Sequence, residues 1–306
     1  MPLKIVFMGT PEFSIPSLSL LIDKKYSIIS VYTQPPQKAK RGQKINASPI
    51  EKFCKKNKII YRSPKSLNTT DEYEVFKKMK IDLVIVVAYG KIIPENFLNL
   101  PKYGFINVHA SLLPKWRGAA PIQRSIMNRD KKTGVSIMKI IKKLDSGPLL
   151  AKEEMELNES STYGEVNKEL SVIGANLLIK SLNEIKNKNA KFYDQDDNKA
   201  TYAKKINKDE TKINWNLDVE KVIAHIHGLS PNPSAWFEYK GERYKILRTI
   251  KSSLIGKPGY VIDENLTIGC KSHSVKILEI QRQGKKKQSI KEFLLGKKIS
   301  VGSSLN

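Results

Sequence analysis

Residues 81–88 read IDLVIVVA, a run rich in β-branched side chains and broken by a single polar residue. A strand with one covered face alternates apolar and polar residues. A run like this one predicts a strand buried on both faces, as in a parallel α/β sheet. Tyr89-Gly90 ends it. Shorter runs of the same kind lie at 4–8, 28–32, 104–109 and 134–141, with helical patterns between several of them, including 49–57 and 163–187. Strand and helix alternating in this way predict a doubly wound, mostly parallel sheet of Rossmann-like type.

The pattern changes in the last third. Residues 187–208 are polar and lysine-rich and read as a linker. Beyond Trp215, a helical stretch at 219–227 leads into short β-like runs near 235–239, 244–249, 259–262 and 275–280. Gly and Pro punctuate these runs at intervals that suggest a small barrel or sandwich. The expected division is a first domain at 1–189, a linker at 190–206 and a second domain at 207–306.

Composition narrows the function classes. The 306 residues are 40% hydrophobic, enough for a core in each domain, and carry a formal charge of +24. A surplus of that size favours a polyanionic partner, with nucleic acid ahead of membrane. Lysine-rich composition accounts for part of it, since arginines are few among the 54 basic residues. Two distant cysteines, Cys54 and Cys270, argue against a disulfide scaffold and a four-ligand zinc site, and no metal is expected. No stretch approaches the ~18 apolar residues of a membrane span, and no signal-peptide pattern opens the chain. A cytoplasmic monomer is expected. Gly9-Thr10-Pro11, after the first strand, lacks the later glycines of a dinucleotide fingerprint, so a dehydrogenase loses its best support.

The chemistry concentrates at 107–121, NVHASLLPKWRGAAP. Asn107 and His109 are two apart on a strand and share a face, at the carboxyl end where such sheets hold ligands. Asp145, in Leu144-Asp145-Ser146-Gly147, follows the next strand and reaches His109 if the two strands are neighbours. Taken singly, each has a bland reading: a capping Asn, a structural His, a turn Asp. Spacing alone does not name a reaction.

The run Asn107 to Pro114 (NVHASLLP), followed by Arg117-Gly118 and Pro121, resembles the signature of the folate-dependent formyltransferases. The likeness extends through IVFMGTPEF at the start, Tyr32-Thr33-Gln34-Pro35, Val87-Ala88-Tyr89-Gly90, the GAAPIQR stretch at 118–124 and TYAKK at 201–205. It implies an OB-like β-barrel as the smaller C-terminal domain. It also implies 10-formyltetrahydrofolate as formyl donor and the amino group of initiator methionyl-tRNA as acceptor. Ser111, Leu112, Leu113 and Pro114 would hold the folate, with one of the two leucines belonging to the core. Asn107 and His109 would donate to the formyl oxygen as it gains charge, and Asp145 would orient His109 and relay protons. Whether His109 or Asp145 is the formal base stays open. The basic loop at 34–45, with Lys38, Lys40, Arg41 and Lys44, would meet the tRNA acceptor end. Two departures stand out: Pro36-Gln37-Lys38 and Lys40 differ from the usual loop, and Asn232 stands where the family usually has tryptophan. The competing readings are a formyltransferase acting on a small amine, such as glycinamide ribonucleotide or an amino sugar nucleotide, and a non-catalytic RNA-binding protein on the same fold.

Overall fold

The structure is a computed structural model that describes residues 2–39 and 44–305. Its main sheet contains β1 (Lys4–Gly9), β2 (Ser27–Tyr32), β3 (Tyr61–Arg62), β4 (Leu83–Val87), β5 (Phe105–His109), β6 (Lys132–Lys139) and β7 (Leu149–Glu156). Their spatial order is β7-β6-β5-β4-β1-β2-β3. From β3 across to β5 the strands are parallel, and β6 joins β5 antiparallel. The sheet is therefore doubly wound and mostly parallel. Strand order reverses between β1 and β4, which makes their carboxyl ends the topological switch point.

All five residues of β4 are buried, as a central strand covered on both faces requires. The two faces of β1 show the division. Val6 and Met8 enter a cluster with Tyr32, Phe76, Val84, Phe97 and Phe105, while Ile5 and Phe7 are fully buried on the other side. Helices α1 (Ile15–Asp23), α2 (Pro49–Lys56), α3 (Thr70–Lys78) and α4 (Glu95–Leu98) alternate with the strands. Ser48 and Thr69 cap α2 and α3 by accepting from the Glu51 and Glu72 amides, which satisfies N–H groups that the helix leaves free.

The described chain divides into two compact units, and both are discontinuous. The first comprises residues up to Gly118, Gly134–Met155 and Lys168–Tyr202; it contains most of the main sheet and the larger part of α6 (Tyr163–Lys186). Gly174 of α6 lies so close to Val108 and Val135 that a Cβ there would sit 2.9 Å from Val108. The second unit comprises Ala119–Thr133, Glu156–Asn167 and residues from Ala203 onward. It pairs α5 (Pro121–Met127) with α7 (Val219–Leu229), and Gly228 permits their close approach beside Met127.

The sheet of the second unit is antiparallel, built from β8 (Ala235–Tyr239), β9 (Glu242–Ser252), β10 (Thr267–Gly269), β11 (Ser274–Arg282) and β12 (Lys287–Ser289). Trp215, Val222, Ile226, Phe237, Tyr244 and Ile277 fill its core, and α8 (Ile290–Gly296) starts from a Ser289–Glu292 capping box. The expected small β-domain is thus an antiparallel half-barrel. The run expected at 259–262 makes only isolated bridges, from Tyr260 to Ser304 and from Val261 to Ile268.

Candidate active site

The register of β5 builds the site. Asn107 lies opposite Val86 of β4 on one side and Met138 of β6 on the other. His109, two residues on, is opposite Ser136. Asn107 is half-buried, and its side chain makes no hydrogen bond among the described residues. An amide in that state keeps both N–H donors available to a ligand.

His109 is buried, and its Nε2 lies 3.0 Å from the Trp116 carbonyl. A carbonyl oxygen only accepts, so Nε2 carries a hydrogen and donates it there. In the neutral ring the lone pair then belongs to Nδ1. That atom faces Asp145, with Oδ2 at 3.8 Å, which is ion-pair range but not a hydrogen bond. Asp145 Oδ2 instead accepts from the Gly118 amide at 2.8 Å. So β5 and the turn after β6 do bring His109 and Asp145 together, and the Trp116–Gly118 turn orients both.

Both turns are strained. Trp116 has φ 64° and Asp145 φ 44°, left-handed conformations that cost a non-glycine residue about 1–2 kcal/mol. The stretch 192–201 packs along them. Tyr193 exchanges backbone hydrogen bonds with Leu149. Gln195 accepts from Arg117 Nε and Nη2 at 3.1 and 2.8 Å, and its own amide donates to the Asp145 and Gly147 carbonyls at 3.0 and 2.8 Å. Asp197 pairs with Arg117 at 2.8 Å and with Lys143, and Lys143 and Arg117 together hold its carboxyl below the usual carboxylate range. Thr201 accepts from the Trp116 amide through its hydroxyl and from the Arg117 amide through its carbonyl. Sequence reasoning singled out Arg117-Gly118 but not Gln195 or Asp197. Nothing local marks a glutamine 78 residues away as the partner of an arginine.

The Ser111–Pro114 strip divides in two. Leu113 is fully buried in a cluster with Met138 and Leu149, whereas Leu112 is only half-buried. Ser136 ties the strip to β6 by donating to the Ser111 carbonyl and accepting from the Leu113 amide. The Leu113–Pro114 peptide is cis, and Lys152 donates to the Leu113 carbonyl.

At the switch point Gly9-Thr10-Pro11 makes a tight turn, where a Cβ on Gly9 would lie 2.8 Å from both Phe7 and Ser14. Thr10 and Gln34 both donate to the Tyr89 carbonyl, at 2.8 and 3.0 Å. Gln34 leads into a hairpin of Gln37–Ala39 and Lys44–Asn46. Lys38 and Lys44 lie on its two strands, while Lys40 and Arg41 fall outside the described residues. Among the described residues, no group of three His, Cys, Asp or Glu side chains is arranged to hold a metal ion, and no helix is long and apolar enough to cross a membrane.

Formyl transferase sequences match residues 3–182, and the formyl transferase C-terminal domain matches residues 205–298. The chain belongs to the formyl transferase family. A methionyl-tRNA formyltransferase of Pelagibacter ubique is 51% identical over 304 residues, spanning 99% of this chain and 98% of that protein. One from a Chelativorans species is 41% identical over 310 residues and the full length of both. Among solved structures, HypX from Aquifex aeolicus in complex with tetrahydrofolic acid overlays with a TM-score of 0.68 at 15% identity, covering 99% of this chain and 51% of that one. The sugar 3N-formyl transferase WlaRD overlays at 0.69 and 20% identity, covering 94% of this chain and all of that one. At these identities the two overlays establish the formyl transferase fold alone. The chain is accordingly a formyl transferase with an N-terminal Rossmann-like part and a C-terminal half-barrel.

Proposed function

We propose that this formyl transferase moves the formyl group of 10-formyltetrahydrofolate to the free amino group of initiator methionyl-tRNA. The observation that supports this most is the 51% identity to a methionyl-tRNA formyltransferase across 99% of the chain. The domain reading that goes with it is a catalytic domain at 1–189, a linker at 190–206 and a tRNA-binding domain at 207–306. A cytoplasmic, monomeric enzyme fits the same reading.

The residues suit a folate donor. Asn107 offers an uncommitted amide at the carboxyl end of β5, and the half-buried Leu112 gives a flat heterocycle an apolar surface beside the polar backbone of 111–114. Bound there, the folate supplies the formyl group and, once that has left, a nitrogen that takes up a proton. The acceptor α-amine, with a free pKa near ~8, is partly neutral at pH 7 and nucleophilic. It forms a new C–N bond to the formyl carbon as the bond to the folate nitrogen breaks.

In this reading Asn107 donates to the formyl oxygen, where negative charge builds. His109 has committed Nε2–H to Trp116, so its Nδ1 takes the proton that the amine must lose. The Asp145 carboxylate, held by Gly118 beside Nδ1, stabilises the resulting imidazolium. Nδ1–H then serves as a second donor, directly or through water, and passes its proton to the folate nitrogen. Lys38, Lys40, Arg41 and Lys44 meet the tRNA acceptor end, where the arginine fork clamps phosphates and stacks on bases.

The test offers labelled 10-formyltetrahydrofolate with initiator methionyl-tRNA, elongator methionyl-tRNA or free methionine. Label on the initiator species alone is expected. No label on any tRNA, with transfer to a small amine instead, would overturn the acceptor.

A further inference from the structure

Residues 192–201 lie outside the 107–121 constellation, yet they contact both turns that orient His109 and Asp145. One side chain joins the two. Gln195 Oε1 accepts two N–H groups of Arg117, and Gln195 Nε2 donates to the carbonyls of Asp145 and Gly147. Arg117 stands between Trp116, whose carbonyl fixes His109, and Gly118, whose amide fixes Asp145. Gln195 therefore couples the turn after β5 to the turn after β6, bonding the backbone of the second turn as well as the Arg117 side chain of the first, whereas Asp197 links them only through the side chains of Arg117 and Lys143.

We propose that Gln195 is a positioning residue that fixes the His109–Asp145 separation by bolting the Arg117 turn to the Asp145–Gly147 turn. This rests on the reading above, in which His109 and Asp145 carry the proton transfers.

Three observations carry it. First, Asp145 holds a left-handed backbone that a non-glycine residue keeps only when its surroundings over-determine it, and the Gln195 amide supplies two of those restraints at 2.8–3.0 Å. Second, Gly147 sits where a Cβ would lie 1.9 Å from the Lys139 carbonyl, so the turn is wedged against β6 on its far side. With the turn held on both sides, Asp145 has little room to drift. Third, the Arg117 side chain is 1% exposed. Its Nε bonds only Gln195, its Nη2 is shared between Gln195 and Asp197, and its Nη1 has no partner among the described residues. Without Gln195 the guanidinium keeps only Asp197 at Nη2 and leaves Nε as well as Nη1 without an acceptor, which frees the Trp116–Gly118 turn to shift.

Glutamine suits this place because it both accepts and donates. A glutamate of the same shape still accepts from Arg117. It cannot donate, however, and it sets a negative charge against two carbonyl oxygens. The two halves of the role therefore separate by substitution.

The experiment measures kcat, both KM values and the thermal midpoint of the full-length chain as Gln195→Ala, Gln195→Glu and Asp145→Asn, assayed by formyl transfer to initiator methionyl-tRNA. Misplacing a reacting group by about 1 Å costs up to ~10²-fold in rate. Both Gln195 variants are expected to lose roughly 10- to 100-fold in kcat, with KM for tRNA and folate within about twofold of wild type. A loss in Gln195→Ala that Gln195→Glu restores would show that only the Arg117 partner matters, and would overturn the proposal. Wild-type kcat in both variants beside a crippled Asp145→Asn would also overturn it while sparing the reading of the site. An active Asp145→Asn would bring down that reading and this inference together. Should Gln195→Ala fail to fold, Gln195→Glu alone decides, since it keeps the arginine paired.

Discussion

Asn107 and His109 divide the chemistry by what their neighbours leave them. The Asn107 side chain has no hydrogen-bond partner among the described residues, so Asn107→Ala removes a donor without orphaning a buried group there. Losing a donor of this kind typically costs ~10²–10³ in kcat. Stopped assays at saturating tRNA would show it, and a raised KM with unchanged kcat would assign Asn107 to binding instead. His109 was legible in the sequence as a candidate because its spacing from Asn107 put both on one face of a strand. Its tautomer was not. That depends on the Trp116 carbonyl, a backbone atom brought round by a left-handed residue that no side-chain pattern announces. Asp145 was legible as a neighbour of His109 but not as a group whose hydrogen bond goes to Gly118.

At the level of elements, periodicity found the longer apolar strands of the main sheet and missed the short β3 and the edge strand β7. Strand β7, LLAKEEME, alternates partly buried and exposed residues with four charges along it. Only its place at the edge of the sheet makes it a strand. The 259–262 run erred the other way, since local β propensity there yields bridges rather than a ladder. The turn after β6 gives a sharper test of packing. Gly147→Ala would press a methyl into the Lys139 carbonyl, and overpacking of this kind costs about 1–3 kcal/mol. A drop in the urea midpoint with a larger fall in kcat is expected, whereas a wild-type midpoint would mean the turn yields freely. In the second unit Arg282, Lys297 and Tyr244 all hydrogen-bond Glu242 and draw its pKa down to about 2. Because the folded value lies below the unfolded one, this contribution is complete above roughly pH 4.5 and disappears as pH falls through about 2. Urea titrations from pH 5 to pH 2 should show a shallower acid loss in Glu242→Gln than in wild type, and parallel curves would refute the linkage.

Across the whole molecule the formal charge of +24 sets the broadest test of tRNA binding. If several lysines neutralise tRNA phosphates, affinity should fall linearly in log–log against salt. Six to ten contacts would cost on the order of 10³–10⁵ in affinity between 50 and 200 mM. A flat salt response in filter binding would mean that the surplus is compositional and serves no tRNA surface. The two compact units were only partly legible, because each recruits segments from distant parts of the chain and sequence composition sees only neighbours. This bears on how the enzyme could be taken apart. Likeness to formyl transferases in the first match stops at residue 182, an inviting place to cut. A fragment ending there keeps Asn107, His109 and Asp145 yet discards Gln195 and Asp197, leaving the Arg117 guanidinium with neither counterpart. Anyone grafting this catalytic half onto another carrier would have to bring the chain as far as Thr201, because the transplantable piece ends where the arginine is enclosed and not where the first family match stops.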